Sequence, residues 1–301
     1  SSDLSSALRG DRVDYIECLF VDGGVSGSVP GPMPGVPRLD PDAAVDHVAE
    51  RRDRGITRFL VFGVPDRKGL DAACRPDGVV PRFLTRARER LDQSVTLIAD
   101  VGLSPYSADG HSVVMTAGAI DEAASYRAAG ALAVAFAEAG ADWVAPCLSL
   151  PNQVGEIGKA LAGANADTRI VAYSAKFSSG FYGPYRATVR SSHGVARKDY
   201  QTDYTDADAA IAQVGADIDQ GADMVIVKPS MLYLDVLAEV CRTATVPVCA
   251  FHVSGEYLSL LLAAEHGGMD AADLFDEYHA AVQRCGPDDV IGYAGDHFLR
   301  R

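Results

Sequence analysis

Short apolar runs of mostly β-branched residues recur along the chain, separated by longer amphipathic stretches, and this alternation restricts the fold more than any other feature. The runs fall at 57–62, 95–100, 142–146, 170–173, 224–227, 246–251 and 290–293, and the helical stretches at 41–54, 81–91, 121–139, 206–220, 232–241, 255–265 and 272–284. Apolar strands alternating with helices of ten or more residues predict a parallel sheet whose outside is covered by helices. Seven strands are visible, and an eighth is expected at 19–21 or near 113–115. In 301 residues that count favours a closed (β/α)8 TIM barrel over an open doubly wound sheet. Neither GxGxxG after the first clear strand nor GxxxxGK[ST] occurs, so the two common nucleotide-binding loops are absent. The tripeptide GAD at 140–142 and 221–223 precedes a strand each time and reads as a repeated helix-to-strand turn. The segment GGVSGSVPGPMPGVPRLD at 23–40 is too rich in Gly and Pro for a regular helix or central strand. Residues 1–40 are therefore predicted to form an N-terminal arm or a loop closing the bottom of the barrel, with a neighbouring subunit as one surface for an arm, and residues 41–301 a single barrel domain.

A formal charge of −14 and the lack of a long basic run exclude a nucleic-acid backbone as partner. Small anions need locally placed cations instead. The six cysteines are scattered without a CxxC pair, which points to a reducing, cytoplasmic setting rather than a disulfide framework. No apolar stretch is long enough to span a membrane and no basic region precedes an apolar one near Ser1, so a soluble, unexported protein is expected.

In a barrel, chemistry gathers at the C-terminal ends of the strands. Two of the five lysines are predicted there: Lys176 follows IVAY, and Lys228 ends the run MVIV. Burying an amine lowers its pKa toward the range where the neutral form attacks carbonyls, as imine formation requires. Either lysine could instead snorkel out or pair with a carboxylate. The long segment 177–204, rich in Gly, Ser and aromatics, suggests a lid, and its Arg186, Arg190, Arg197 and Lys198 suit capture of a carboxylate. A solvated loop or subunit contact is the plainer alternative. Phe62, Tyr182 and Tyr233 are candidate pocket-wall aromatics. Trp143 reads as core, and His252 and the pair Asp296 and His297 as hydrogen-bonded rather than catalytic. Cys147, ending a strand with no base assigned beside it, reads as an inert small hydrophobe.

The motifs YSAKFSSGFYGPYR (173–186), ARKDYQTD (196–203), VKPSMLYLD (227–235) and HVSGEY (252–257) resemble the signatures of the porphobilinogen synthase, or 5-aminolevulinate dehydratase, family. MPGVPRLD (33–40), FGVPDRKG (62–69) and GADWVAP (140–146) extend the resemblance in order over most of the chain. It implies a barrel lyase that condenses two molecules of 5-aminolevulinate through Schiff bases on two lysines. Lys228 corresponds to the lysine holding the substrate that becomes the propionate side, and Lys176 to the one holding the acetate side. Ser254 and Tyr293 correspond to receptors for the first carboxylate; Arg186, Arg197 and Gln201 to those for the second. The family's homo-octamers, built from dimers with an embracing N-terminal arm, make an octamer or a dimer the expected assembly.

The resemblance also locates departures. Zinc-using relatives carry three cysteines in the stretch matching LIADVGLSPYSADGHSV (97–113), and other relatives aspartates; here the positions read Gly102, Ser104 and Ser112. Glycine and two hydroxyls cannot rebuild a thiolate site, so no catalytic zinc and no cofactor are expected. Asp100 is retained as a candidate for proton transfer or orientation, while Asp100, Asp109 and His111 form at most a weak metal set. APCLSLPNQVG (145–155) stands where the family reads close to APSDMMDGRVG, placing Leu148 and Pro151 at aspartate positions and Gln153 at an arginine. The first of these aspartates is expected near the reacting substrates, so Leu148 implies the loss of a proton-transfer or ammonium-binding group. Gln213 stands at the glutamate of an allosteric magnesium site, which argues against that metal. Three alternatives stay open at this point: a diverged imine-forming enzyme for another amino-keto or keto-acid substrate, a one-lysine aldolase, and a non-catalytic ligand-binding homologue.

Overall fold

A computed structural model describes residues 13–191 and 200–300. Eight parallel strands close a barrel: β1 (Asp14–Asp22), β2 (Arg58–Val64), β3 (Thr96–Val101), β4 (Trp143–Pro146), β5 (Arg169–Lys176), β6 (Met224–Lys228), β7 (Val248–Phe251) and β8 (Asp289–Gly292). Closure is made by β1, which pairs with β2 on one side and with β8 on the other, Asp14 lying opposite Asp289 and Ile16 opposite Ile291. The expected (β/α)8 architecture is therefore present, and the eighth strand lies around 19–21. The 113–115 region instead borders a two-stranded hairpin, Met115–Thr116 with Ala119–Ile120.

The assignment of residues up to 40 to an arm is corrected over 14–39. DYIECLFVD is a central barrel strand, buried from Tyr15 onward, because it is covered by helices outside and side chains inside. The Gly/Pro-rich part that follows folds back as a hairpin, Ser28–Met33 with Val36–Leu39, whose second strand adds to the C-terminal end of β1. The prolines are accommodated because Ser28–Met33 is the sheet's edge and requires no partner beyond.

Aspartates start four of the outer helices. Asp40, Asp121, Asp206 and Asp270 each accept backbone N–H groups of the first turn of Pro41–Asp53, Glu122–Glu138, Ala207–Asp219 and Ala271–Cys285. The GAD tripeptides do more than turn the chain. Gly140 and Gly221 sit at φ +108° and +98°, conformations that favour glycine. The aspartates then reach the preceding strand: Asp142 accepts the Leu97 N–H at 2.7 Å and Asp223 the Ile170 N–H at 2.8 Å. Asp288 does the same for Val248 at 2.8 Å.

Two apolar layers result from strand alternation. Val61, Leu97, Val144 and Val225 point outward to the helices, while Ile16, Leu60, Ile98 and Ile226 fill the barrel. One irregularity matters for function. Between the pairs Val225/Ala172 and Val227/Ala175, β5 carries one residue more than β6, a β-bulge. Tyr173 points inward, Ala175 joins the outer layer, and the parity shift leaves Lys176 inward and directly opposite Lys228.

Candidate active site

The inward positions at the C-terminal end of the barrel carry Asp100 on β3, Cys147 just after β4, Lys176 on β5 and Lys228 on β6. All are buried. The two lysines are register partners on adjacent strands, so their side chains leave the sheet side by side. The Lys228 Nζ lies 4.0 Å from the Phe251 ring centroid and 4.6 Å from that of Tyr173, with Tyr182 and Tyr185 at 5.4 and 5.6 Å. These faces favour the ammonium but offer little replacement for its hydration shell. Burial dominates and pushes the Lys228 amine down to about 8; Lys176 pushes the same way, against the opposing pull of Cys147 and Asp100. Lys176 donates to Cys147, its Nζ being 3.0 Å from both the carbonyl oxygen and Sγ.

Asp100 is a carboxylate that faces both lysines. Burial raises its pKa despite the attraction of Lys228 and Lys176. Its Oδ2 accepts the Gly102 N–H at 3.1 Å, whereas Oδ1 has no partner at hydrogen-bonding geometry among the described residues. The Tyr173 hydroxyl is near enough to favour the carboxylate without closing such a bond. A carboxyl held above its ordinary range between two amines can exchange protons as well as orient.

Phe62 lies in the barrel interior, stacked 5.3 Å from Phe20 and edge-on to Tyr185 at 5.2 Å. Tyr293 lies parallel to Phe20 at 6.1 Å. Tyr182 donates to the carbonyls of Phe177 and Lys228 at 2.9 and 3.1 Å, tying the segment after β5 to β6. Tyr233 instead stacks flat on Phe177 at 4.0 Å, in the outer layer. The described part of the proposed lid forms a short helix, Gly183–Thr188, anchored by the buried Ser254, whose hydroxyl accepts the Tyr185 N–H at 3.0 Å and donates to Phe181 at 3.2 Å. Arg186 lies 5.9 Å from the Tyr182 ring, and Gln201 is buried with Oε1 unpartnered among the described residues. Arg190 is not at the lysines: with Arg38 and Gly24 N–H it binds the fully buried Asp22 at the end of β1. Arg197 and Lys198 fall outside the described residues.

Several readings change. The side chain of Leu148 belongs to the outer layer, while its N–H donates to Gln153 at 3.1 Å, so this position is not where a proton-transfer group is lost. Cys147 is the inward neighbour and touches the lysine, so it is not an inert filler. Gln153 and Gln213 both donate to Asp217, which burial raises to about 6, and these three form a polar patch behind the barrel wall. His252 is not hydrogen-bonded among the described residues; enclosed by Tyr257, Phe275 and Tyr278, it is held neutral by burial, its pKa pushed down to about 3. Asp109 accepts the backbone N–H of His111 at 3.0 Å within its own loop. Glu256, within HVSGEY, accepts Met231 N–H and Val253 N–H, both at 2.8 Å, and fixes the loop behind Lys228.

Zinc does not fit the donor set. Positions 102, 104 and 112 carry no thiol, and a Cβ at 102 would stand 2.6 Å from the Asp100 Oδ2, so a cysteine there requires the carboxylate to move. Among the described residues no three His, Cys, Asp or Glu side chains converge in a metal-binding arrangement.

The profile of the family described as delta-aminolevulinic acid dehydratase matches residues 5–301. A delta-aminolevulinic acid dehydratase of Streptomyces coelicolor is 36% identical over 297 residues, 96% of this chain and 90% of the relative. That of Methanothermobacter thermautotrophicus is 36% identical over 271 residues, 89% and 82% of the two chains. Among solved structures, the Toxoplasma gondii delta-aminolevulinic acid dehydratase in complex with the reaction product porphobilinogen superposes with a TM-score of 0.91 at 35% identity, covering 98% of this chain and 87% of that one.

Proposed function

The chain belongs to the delta-aminolevulinic acid dehydratase family, and from that premise we propose that it joins two molecules of 5-aminolevulinate into porphobilinogen through imines on Lys176 and Lys228. The observation that carries the reading is the placement of two buried amines side by side at the mouth of the barrel, one of them depressed to about 8. Each amine attacks the ketone carbon of one substrate and water leaves, giving a protonated imine. The cationic nitrogen draws electrons from the neighbouring carbon, a proton is lost there, and the enamine attacks the second substrate's carbon. The free amino group attacks the other imine carbon to close the ring, both lysine amines then leave as protons are lost to give the pyrrole, and the two carbonyl oxygens have departed overall as two waters. Holding both ketones covalently in one orientation replaces an encounter that is entropically costly in solution.

Asp100 is suited to move protons at the carbons between the imines. Ser254 and Tyr293 are read as receptors for the carboxylate of the Lys228-bound substrate, and Arg186, Arg197 and Gln201 for that of the Lys176-bound one. Thiol-dependent zinc enters no step, because the donor positions do not fit it. Placing Leu148 outside the barrel weakens the argument for a different substrate, since the interior retains its carboxylate. We read the assembly as a homo-oligomer, octamer or dimer, which sedimentation of the purified chain distinguishes. A cytoplasmic setting is supported by six unpaired cysteines. Among the described residues no helix is long and apolar enough to cross a membrane.

The test is mass-spectrometric analysis of product after incubation with 5-aminolevulinate and a strong chelator, on the wild type, Lys176→Ala and Lys228→Ala. Porphobilinogen from the wild type alone is the expected result. Turnover retained by either variant sinks the two-imine mechanism, and product that vanishes with the chelator returns the reaction to a metal.

A further inference from the structure

Cys147 occupies the interior position between the strand that carries Asp100 and the strand that carries Lys176. Its Sγ is 3.0 Å from the Lys176 Nζ, and the same Nζ is held 3.0 Å from the Cys147 carbonyl oxygen. Two contacts from one residue fix the amine against the thiol. The groups facing this sulfur come from several elements: Lys176 and Tyr173 on β5, Lys228 on β6 and Tyr182 after β5. No carboxylate is bonded to Lys176 among the described residues, and the Asp100 oxygen with a partner takes it from Gly102.

We propose that Cys147 is a catalytic acid–base residue for imine formation at Lys176. The inference rests on the two-imine reading and adds to it. With the pair as thiolate and ammonium, sulfur takes a proton from Nζ and leaves a neutral amine. The amine's lone pair forms the N–C bond as the ketone's π electrons move to oxygen, and a proton passes from nitrogen to that oxygen. The thiol then gives its proton to the departing hydroxyl, the nitrogen lone pair forms C=N, and water leaves. The products are the protonated imine, water and the thiolate; no oxidant or outside base is consumed. A serine at this site retains the size but not a readily ionised group.

The experiment follows levulinate, the keto acid lacking the amino group, trapped on each lysine by borohydride, with rates read peptide by peptide by mass spectrometry. In Cys147→Ser, trapping at Lys228 should be as fast as in the wild type or faster, because losing the sulfur's pull lowers that amine further, and so report an intact fold. Trapping at Lys176 should slow on the order of a hundredfold, the usual range for removing an acid–base group. Equal rates at Lys176, or equal slowing at both lysines, overturns the assignment of Cys147 while leaving two imines in place. Absence of adducts on the wild-type chain overturns the imine reading and this proposal together.

Discussion

Raising the pH from 6 to 10 separates a buried lysine from an ordinary one. With the Lys228 amine pushed down to about 8 by burial, about one tenth of it is neutral at pH 7; at the usual 10.5 only about three parts in ten thousand would be. The neutral form is the nucleophile, so the depressed value makes Lys228 about 300-fold more available at neutral pH. The sign is fixed by the direction of the shift: reactivity falls as pH drops below about 8 and saturates above it. Trapping of levulinate on Lys228 should therefore rise about fiftyfold between pH 6 and 8 and only about twofold between 8 and 10. An unperturbed lysine would still gain about 75-fold over the upper interval. The wall tyrosines Tyr173, Tyr182 and Tyr293 are pushed well above 10 by burial and stay neutral throughout. The assay is borohydride quenching at timed intervals with the Lys228 peptide quantified by mass spectrometry. A rate that keeps climbing steeply to pH 10 refutes the desolvation argument. The same shift costs the fold about 3 kcal/mol below pH 8, a cost that declines as pH rises toward 10.5.

Three further outcomes are expected. Gly102→Cys forces the Asp100 carboxylate aside, because the added Cβ would approach Oδ2 to 2.6 Å; kcat should fall on the order of a hundredfold with no recovery in added zinc, and an unchanged kcat counts against Asp100 as a proton carrier. Asp22→Ala strands the guanidiniums of Arg38 and Arg190, bonded at 2.7 and 3.0 Å; urea denaturation should report a loss of about 2–4 kcal/mol, reduced from the fully buried case because both arginines reach solvent, and a loss below about 0.5 refutes the clamp. Ser254→Ala removes the hydroxyl's bonds to the Tyr185 N–H and the Phe181 carbonyl, loosening the Gly183–Thr188 helix by about 1–3 kcal/mol. Hydrogen exchange at Tyr185 should accelerate while that of the barrel strands does not.

Most of the barrel is legible in the sequence because seven strands are continuous apolar runs, and burial on both faces demands that pattern. β1 is obscured by the Gly/Pro hairpin beside it, which draws attention away from the buried run YIECLFVD. The helix Gln153–Gly163 escapes notice because Gly155, Gly158 and Gly163 dilute its pattern. At the site, strand ends locate Lys176, Lys228 and Asp100, but which way a residue points depends on counting from a regular strand. The bulge in β5 breaks that count, so the inward aim of Lys176 is not readable from alternation. Similarly, matching Leu148 to a family aspartate says nothing about the layer it enters. The inward turn of Cys147 and the outward turn of Leu148 continue the alternation of β4, in which Val144 faces the helices and Ala145 the interior.

The pairing of β1 with β8 gives the chain a clasp. Of the barrel strands β1 is made first and finds β2 within some forty residues, but the Asp14–Glu17 part of its other flank shows bare N–H and C=O groups until β8 has been made. Every intermediate of synthesis is thus an open, curling sheet with two adhesive borders, and the pocket that holds the two lysines acquires its complete wall only when the last strand arrives. A nascent chain arrested before β8 is therefore both inactive and prone to stick to its neighbours, so the demand on chaperones is greatest in the interval before β8 emerges.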